Sequence, residues 1–261
     1  MMADLEYSVS GHVATILLNR PDRKNAFTLD MVDAWADAIT EAGRDDRVRA
    51  VVVTGAGDAF CSGVDLTEFT SQDRTPLQEK ELLTERVHRV ARAMNALAKP
   101  TIAAVRGVAV GAGMDMSLMC DIRFAGQSAR FSEGYIRVGL VPGDGGCYYL
   151  PRIVGTATAL RLLWTGAFVD ANEALSIGLV SEVHDDERVL DAAYQLAEEV
   201  SQRAPIAVEV VKRAVRQGLN HDLDTALDLI SSHQAVVLST ADSAEAMSAF
   251  REKRAPSFQR R

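Results

Sequence analysis

The sequence predicts an α/β fold with a helical C-terminal region, and three observations carry that expectation. Short β-branched and aliphatic runs alternate with helical periodicity for about 190 residues. The pattern from about residue 186 onward is helical almost throughout. Of the 261 residues, 48% are hydrophobic and 25% charged, which suits a soluble globular core that needs no disulfide or metal staple.

The elements follow in order. Val13 to Leu18 reads as a strand, and Asn19-Arg20-Pro21-Asp22 as the turn after it. Thr28 is placed to cap a helix whose apolar positions Met31, Ala34, Trp35, Ala38, Ile39 and Ala42 share one face, with Gly43 at its end. Ala50 to Thr54 is a buried strand closed by Gly55-Ala56-Gly57. Residues 67–80 are polar and read as a mobile loop. Leu82 to Leu97 reads as a helix stopped by Lys99-Pro100, and Thr101 to Val105 as a second buried strand. The small apolar stretch from Gly107 to Gly113 leads into helix formers from Met114 to Cys120. Asp170-Ala171-Asn172-Glu173 has capping-box spacing, Gly178 stands at a helix end, and Pro205 stands near the start of a helix. The tail is expected to pack on the core or on another subunit.

Composition excludes several classes of function. Lys and Arg number 28 against 36 Asp and Glu, a net charge of −8, so no broad attraction to nucleic acid is expected. A local basic cluster for an anionic small molecule remains compatible. No apolar run approaches the ~18 residues of a membrane span. Met1-Met2-Ala3-Asp4-Leu5-Glu6 lacks the basic start of a signal peptide. Cys61, Cys120 and Cys147 show no C-x-x-C spacing and read as reduced thiols in a cytoplasmic protein. Dinucleotide, P-loop, G-x-S-x-G and H-E-x-x-H motifs are absent. His12, His88, His184, His221 and His233 are far apart and read as surface or satisfied histidines, so no metal site is expected.

Two small-residue turns follow two buried strands: Ala59-Phe60-Cys61-Ser62-Gly63-Val64-Asp65-Leu66 and Gly107-Val108-Ala109-Val110-Gly111-Ala112-Gly113-Met114-Asp115. Small residues let a ligand approach the backbone, and two N–H donors aimed at one point make an oxyanion hole. The same pattern also serves tight strand–helix packing.

The segment Phe60-Cys61-Ser62-Gly63-Val64-Asp65-Leu66 resembles the A-F-C-A-G-x-D-L segment of the enoyl-CoA hydratase/isomerase (crotonase) superfamily. Ala104 to Asp115 is similar to its A-V-x-G-x-A-x-G-G-G-x-E segment, and Cys120-Asp121-Ile122-Arg123-Phe124-Ala125 to its C-D-I-x-x-A. Gly139 to Gly146, Leu150-Pro151-Arg152, Leu175 to Val183 and Phe250 to Arg254 continue the match in order. The resemblance implies a spiral of ββα units over residues 1–195 and a helical trimerisation region over 196–261. It implies a homotrimer or a hexamer built as a dimer of trimers. It further implies an acyl-CoA thioester substrate, with no metal or redox cofactor, since coenzyme A is carried by the substrate. The Val64 and Ala112 amides match the family's two oxyanion donors. Cys61, Ser62, Gly63, Asp65, Leu66 and Gly111 are expected to line the acyl-CoA channel. Arg20, Arg23 and Lys24 form a candidate phosphate-binding cluster, and Phe250 and Lys253 match positions that help bind CoA.

The chemistry within the family turns on three residues. Asp115 stands at the first glutamate of a family hydratase, one methylene shorter, and Tyr135 at the second. A phenol with a pKa near ~10 is a poor base at neutral pH, so Tyr135 donates a hydrogen bond or shapes the pocket. Asp144, in Pro142-Gly143-Asp144-Gly145-Gly146, resembles an aspartate used by dienoyl-CoA isomerases, although aspartate between glycines is also ordinary turn chemistry. Glu133 lies two residues before Tyr135, with its direction open. The expected activity is an acyl-CoA hydratase or isomerase, a lyase or isomerase using Asp144 and Asp115. The alternatives are a CoA-thioester hydrolase or ring-opening enzyme of the same fold, and a non-catalytic acyl-CoA-binding homologue.

Overall fold

The computed structural model of the chain describes residues 4–69 and 74–261. The first three residues of the N-terminus, and residues 70–73 at the centre of the expected 67–80 loop, lie outside them.

The chain runs β1 (Leu5–Ser10), β2 (Val13–Leu18), a 3-10 turn (Pro21–Arg23), α1 (Leu29–Arg44), β3 (Ala50–Gly55), α2 (Leu66–Phe69) and α3 (Pro76–Glu81). A π-helical turn (Leu82–Val87) leads to α4 (His88–Ala96), β4 (Thr101–Val105), β5 (Val108–Val110), α5 (Ala112–Leu118), β6 (Ile122–Gly126) and β7 (Arg130–Ser132). A 3-10 turn (Gly134–Val138), α6 (Gly146–Val154), α7 (Thr156–Thr165), β8 (Val169–Asp170), α8 (Ala171–Ser176) and β9 (Glu182–His184) follow. Helices α9 (Val189–Ser201), α10 (Pro205–Gly218), α11 (Leu223–Leu238) and α12 (Ala241–Glu252) complete it. The larger sheet has the order β1-β2-β3-β4-β6-β9 and the smaller β5-β7-β8. The β1–β2 and β7–β8 pairs are antiparallel and the rest parallel.

Period-two alternation assigns the two faces of the larger sheet. Val13, Ala50, Val52, Ile102, Ala104 and Phe124 meet Val189, Ala193 and Ala197, one stripe of α9 at four-residue spacing. Ala14, Ile16, Val51, Val53, Ala103 and Val105 face the main core with Trp35 and Ile39 of α1. Both faces are covered, which is why these strands read as continuous apolar runs.

Several local expectations hold. Thr28 caps α1, accepting from the Met31 N–H. Asp170 caps α8 through the Glu173 N–H, although the Glu173 side chain turns to Arg161 instead of back to the cap. Part of the stretch expected as loop is helical: α2 lies at its start, and Thr75 and Gln78 form a reciprocal capping box that opens α3. A proline at the first helical position and a paired cap outweighed the polar composition there.

Candidate active site

Strands β3 and β4 deliver the two small-residue turns side by side. The Cys61 N–H donates to the Val108 carbonyl at 3.0 Å, and the Val110 N–H to the Cys61 carbonyl at 3.0 Å. The buried Asn25 side chain braces the approach, donating to the Ala56 and Ala59 carbonyls at 2.8 Å each. Contact between the turns is backbone to backbone. Gly63 has φ +98°, and a Cβ there would lie 2.8 Å from the Val110 oxygen and 3.7 Å from the Ala112 nitrogen. A Cβ on Gly113 would collide with the Cys61 carbonyl. Only glycine fits either position. None of the hydrogen bonds among the described residues uses the Val64 or Ala112 N–H.

Three of the candidate side chains converge beside these turns. Asp115, in the first turn of α5, is fully buried, and Asp144, before α6, is 5% exposed. Between them stands Tyr135: its hydroxyl lies 2.6 Å from Asp144 Oδ2 and 3.0 Å from Asp115 Oδ2. A phenol has one proton, so it donates fully to one carboxylate only; the second contact is fully satisfied when that carboxyl carries a proton. The surroundings favour such protonation. Burial foremost, then the charge of Asp144, pushes the Asp115 carboxyl up to about 7, against the pull of the Glu133 side chain, the Tyr135 hydroxyl and the Gly146 N–H. Burial also raises Asp144, opposed by the Tyr135 hydrogen bond and by His88. Tyr135 is raised by burial and by the two aspartates, so it stays a neutral donor.

Two neighbours were given no place in the site by the sequence. Glu133 is 1% exposed and points inward, and burial together with Asp115 pushes it up to about 11. His88, expected as a surface or satisfied residue, sets its Nε2 2.8 Å from the Gly143 carbonyl, next to Asp144. That contact joins α4 to the turn before α6, and spacing along the chain gives no sign of it.

The binding candidates divide. Arg23 and Lys24 are exposed beside the first turn, where the Ser62 N–H donates to the Lys24 carbonyl at 2.9 Å and its hydroxyl to the Arg23 carbonyl at 3.3 Å. Arg20 does not join them as a free cation: it pairs with Asp65 at 3.1 Å and donates to the Ala26 carbonyl at 2.5 Å. The Asp65 carboxylate is thereby engaged by Arg20, and it also accepts from Thr67. The Cys61 thiol donates to the Asn25 carbonyl at 3.2 Å, and burial pushes it up to about 12, so it packs as a neutral group. The Gly111 N–H donates to the Ser132 carbonyl, while Leu66 is exposed. Phe250 and Lys253, at the end of α12, are exposed and have no hydrogen bond or ion pair to either turn among the described residues.

A concavity of about 270 Å³ near the C-terminus is lined by Lys99, Glu209 and Arg260. Two of its cations are already engaged: Lys99 donates to the Ala42 and Asp45 carbonyls, and Arg260 pairs with Glu209 and Asp46. The buried carboxyls of Asp115 and Asp144 lie instead beside the two turns.

The enoyl-CoA hydratase/isomerase family model matches residues 8–261. The 1,2-epoxyphenylacetyl-CoA isomerase of Escherichia coli K12 is 36% identical over 259 residues, covering 99% of each chain. The short-chain-enoyl-CoA hydratase of Clostridium acetobutylicum is 37% identical over 245 residues, 94% of this chain and 93% of that one. The crystal structure of an enoyl-CoA hydratase from Bacillus anthracis superposes with a TM-score of 0.94 at 31% identity, covering 99% of this chain and 100% of that one. With the order of its motifs and its α/β architecture in agreement, the chain belongs to the enoyl-CoA hydratase/isomerase (crotonase) superfamily and is an acyl-CoA enzyme of that family.

Proposed function

We propose that this enzyme moves a proton along the acyl chain of a CoA thioester, an isomerase-type reaction with an enolate intermediate. The observation that carries this reading is the Tyr135 hydroxyl held between Asp144 and Asp115. In the first step Asp144, as carboxylate, takes a proton from an acyl carbon conjugated with the thioester. The C–H electron pair moves into the chain, and negative charge gathers on the thioester oxygen. The Val64 and Ala112 amides are the donors for that oxygen, and their free N–H groups support the assignment. Such donors accelerate reaction because they bind the oxyanion more strongly than the starting carbonyl. In the second step the proton returns from Asp144 to another carbon, the double bond shifts, and the charge leaves the oxygen. Asp115 and Tyr135 stabilise the ionised and protonated forms of Asp144 in turn. A hydratase needs a second carboxylate to hold water, and a phenol in that place favours proton shift over hydration.

Arg23 and Lys24 supply the positive charge for the CoA phosphates, with Ser62, Gly63, Leu66 and Gly111 along the acyl path. The substrate brings coenzyme A with it, and the proton transfers call for no resident cofactor. The division into a core over 1–195 and a trimerisation region over 196–261 belongs to the same proposal, as does assembly into a trimer or hexamer. Its support is α11, which buries none of its 16 residues, and the exposed Val211, Val215 and Leu219 just before it. No helix among the described residues is long and apolar enough to cross a membrane, and a cytoplasmic location completes the reading.

The test is turnover of enoyl-CoA and dienoyl-CoA panels by the wild type and by Asp144→Asn, followed by mass spectrometry in deuterated water. Isomerisation leaves substrate mass unchanged except for exchanged hydrogens. Hydration adds water, and thioester hydrolysis releases free coenzyme A. Undiminished turnover by Asp144→Asn would remove Asp144 from the mechanism.

A further inference from the structure

Glu133 has no role in the reaction as described above, yet it is buried in the same cluster. It follows β7 directly and is 1% exposed, and neither of its side-chain oxygens has a hydrogen-bond partner among the described residues. Asp115 Oδ1 is likewise without one. These two carboxyls reach into one space. A Cβ on Gly146, the first residue of α6, would collide with Asp115 Oδ1 and come within 2.9 Å of Glu133 Oε1.

The groups facing this space come from every element around it. The Asp115 carboxyl comes from α5, Glu133 and the Tyr135 phenol from the segment after β7, Asp144 from the loop before α6, and the Cys147 thiol and Gly146 N–H from α6. His88, from α4, acts on Asp144. Among the described residues no cation is seen to act on Glu133 or Asp115. Two adjacent buried carboxyls without a cation cannot both ionise, because repulsion and desolvation act together. One proton between them removes the repulsion and supplies the missing donor. The Gly146 N–H and the Tyr135 hydroxyl both favour the ionised form of Asp115, so Asp115 is the first of the two to lose its proton and the proton that remains belongs on Glu133.

We infer that Glu133 is a positioning residue of this centre, a neutral carboxylic acid that donates to Asp115 and fixes that carboxyl against the Tyr135 hydroxyl. The inference rests on the functional reading given above. It orders four side chains as a continuous sequence, Glu133, Asp115, Tyr135 and Asp144. Asp144 is the member left to exchange a proton with substrate, and Glu133 acts on it only through the two groups between.

Two variants and two readouts test the inference. Glu133→Gln keeps a donor of nearly the same shape, and Glu133→Met keeps the volume without one. The infrared spectrum in the carboxyl region, at about pH 9 and so above the value of about 7 that Asp115 reaches, is expected to show a protonated-carboxyl band in the wild type. That band should shift in deuterated water and be absent from both variants. In kinetics Glu133→Gln should hold kcat within about threefold of wild type, while Glu133→Met should lower it roughly 10²-fold with KM little changed and the acid limb of the pH profile displaced. A band that persists in Glu133→Gln, or wild-type kcat and pH profile in Glu133→Met, would overturn the inference. The two readings fail separately. A Glu133-dependent band in a wild type that turns over no acyl-CoA refutes the reaction and leaves the shared proton standing. Turnover without the band refutes the role of Glu133 and leaves the reaction standing.

Discussion

The Tyr135 hydroxyl lies 2.6 Å from Oδ2 of Asp144 and ties the 3-10 turn after β7 to the loop that opens α6. The bond is short, as expected when a neutral phenol donates to a carboxylate. It fixes the group assigned here to proton transfer and couples it to Asp115 on the far side of the same oxygen.

Tyr135→Phe removes that donor and leaves both aspartates facing an apolar ring edge. We expect kcat to fall by roughly 10²-fold. Stability should fall by about 1–3 kcal/mol, the cost of leaving a buried acceptor unsatisfied. Steady-state kinetics and urea denaturation measure the two effects separately.

The buried aspartate also sets a pH dependence of stability. Asp115 is raised from 3.8 to about 7 by burial first and by Asp144 second. Below the lower value the folded and unfolded chains both carry the proton, so the group contributes nothing. Between the two values the folded chain retains the proton and the unfolded chain loses it, so this group's contribution lowers stability as pH rises. Above about 7 the penalty is complete. Asp115→Asn should therefore melt higher than wild type at about pH 8 and show no such gain near pH 4. Thermal unfolding across that range reads the difference.

Gly63→Ala forces a Cβ to within 2.8 Å of the Val110 carbonyl at a φ of +98°. Strain and overlap together should cost at least about 2 kcal/mol and push the two turns apart. Denaturant titration checks the stability. Loss of acyl-CoA turnover under conditions where the variant remains folded checks the separation of the two amides.

The exposed basic pair should act on binding alone. The double variant Arg23→Ala with Lys24→Ala is expected to raise KM for acyl-CoA by roughly three- to tenfold with kcat unchanged. Added salt should shrink the difference, because the charges are solvent-exposed.

Much of the larger sheet was legible because its central strands are buried on both faces, and Val13 to Leu18, Ala50 to Thr54 and Thr101 to Val105 stand out as apolar runs. Strand β5 was not, because its three residues lie inside a glycine-rich stretch that reads as a turn. Asp115 was legible from its place three residues after Ala112, a local spacing. Glu133 was not, because the 3-10 turn that follows it decides the direction of its side chain. His88 meets the Gly143 carbonyl 55 residues away, and no periodicity encodes such a contact. Arg20 was grouped with Arg23 and Lys24 because sequence shows the charge but not its pairing with Asp65.

The central claim is that the main-chain amides of Val64 and Ala112 bind the thioester oxygen together. A crystal structure with a non-reactive acyl-CoA analogue tests it most directly. The account predicts that oxygen at about 2.7–3.1 Å from both nitrogens, with Asp144 facing the acyl carbons. An oxygen beyond hydrogen-bond reach of either amide, in a fully occupied complex, would contradict it.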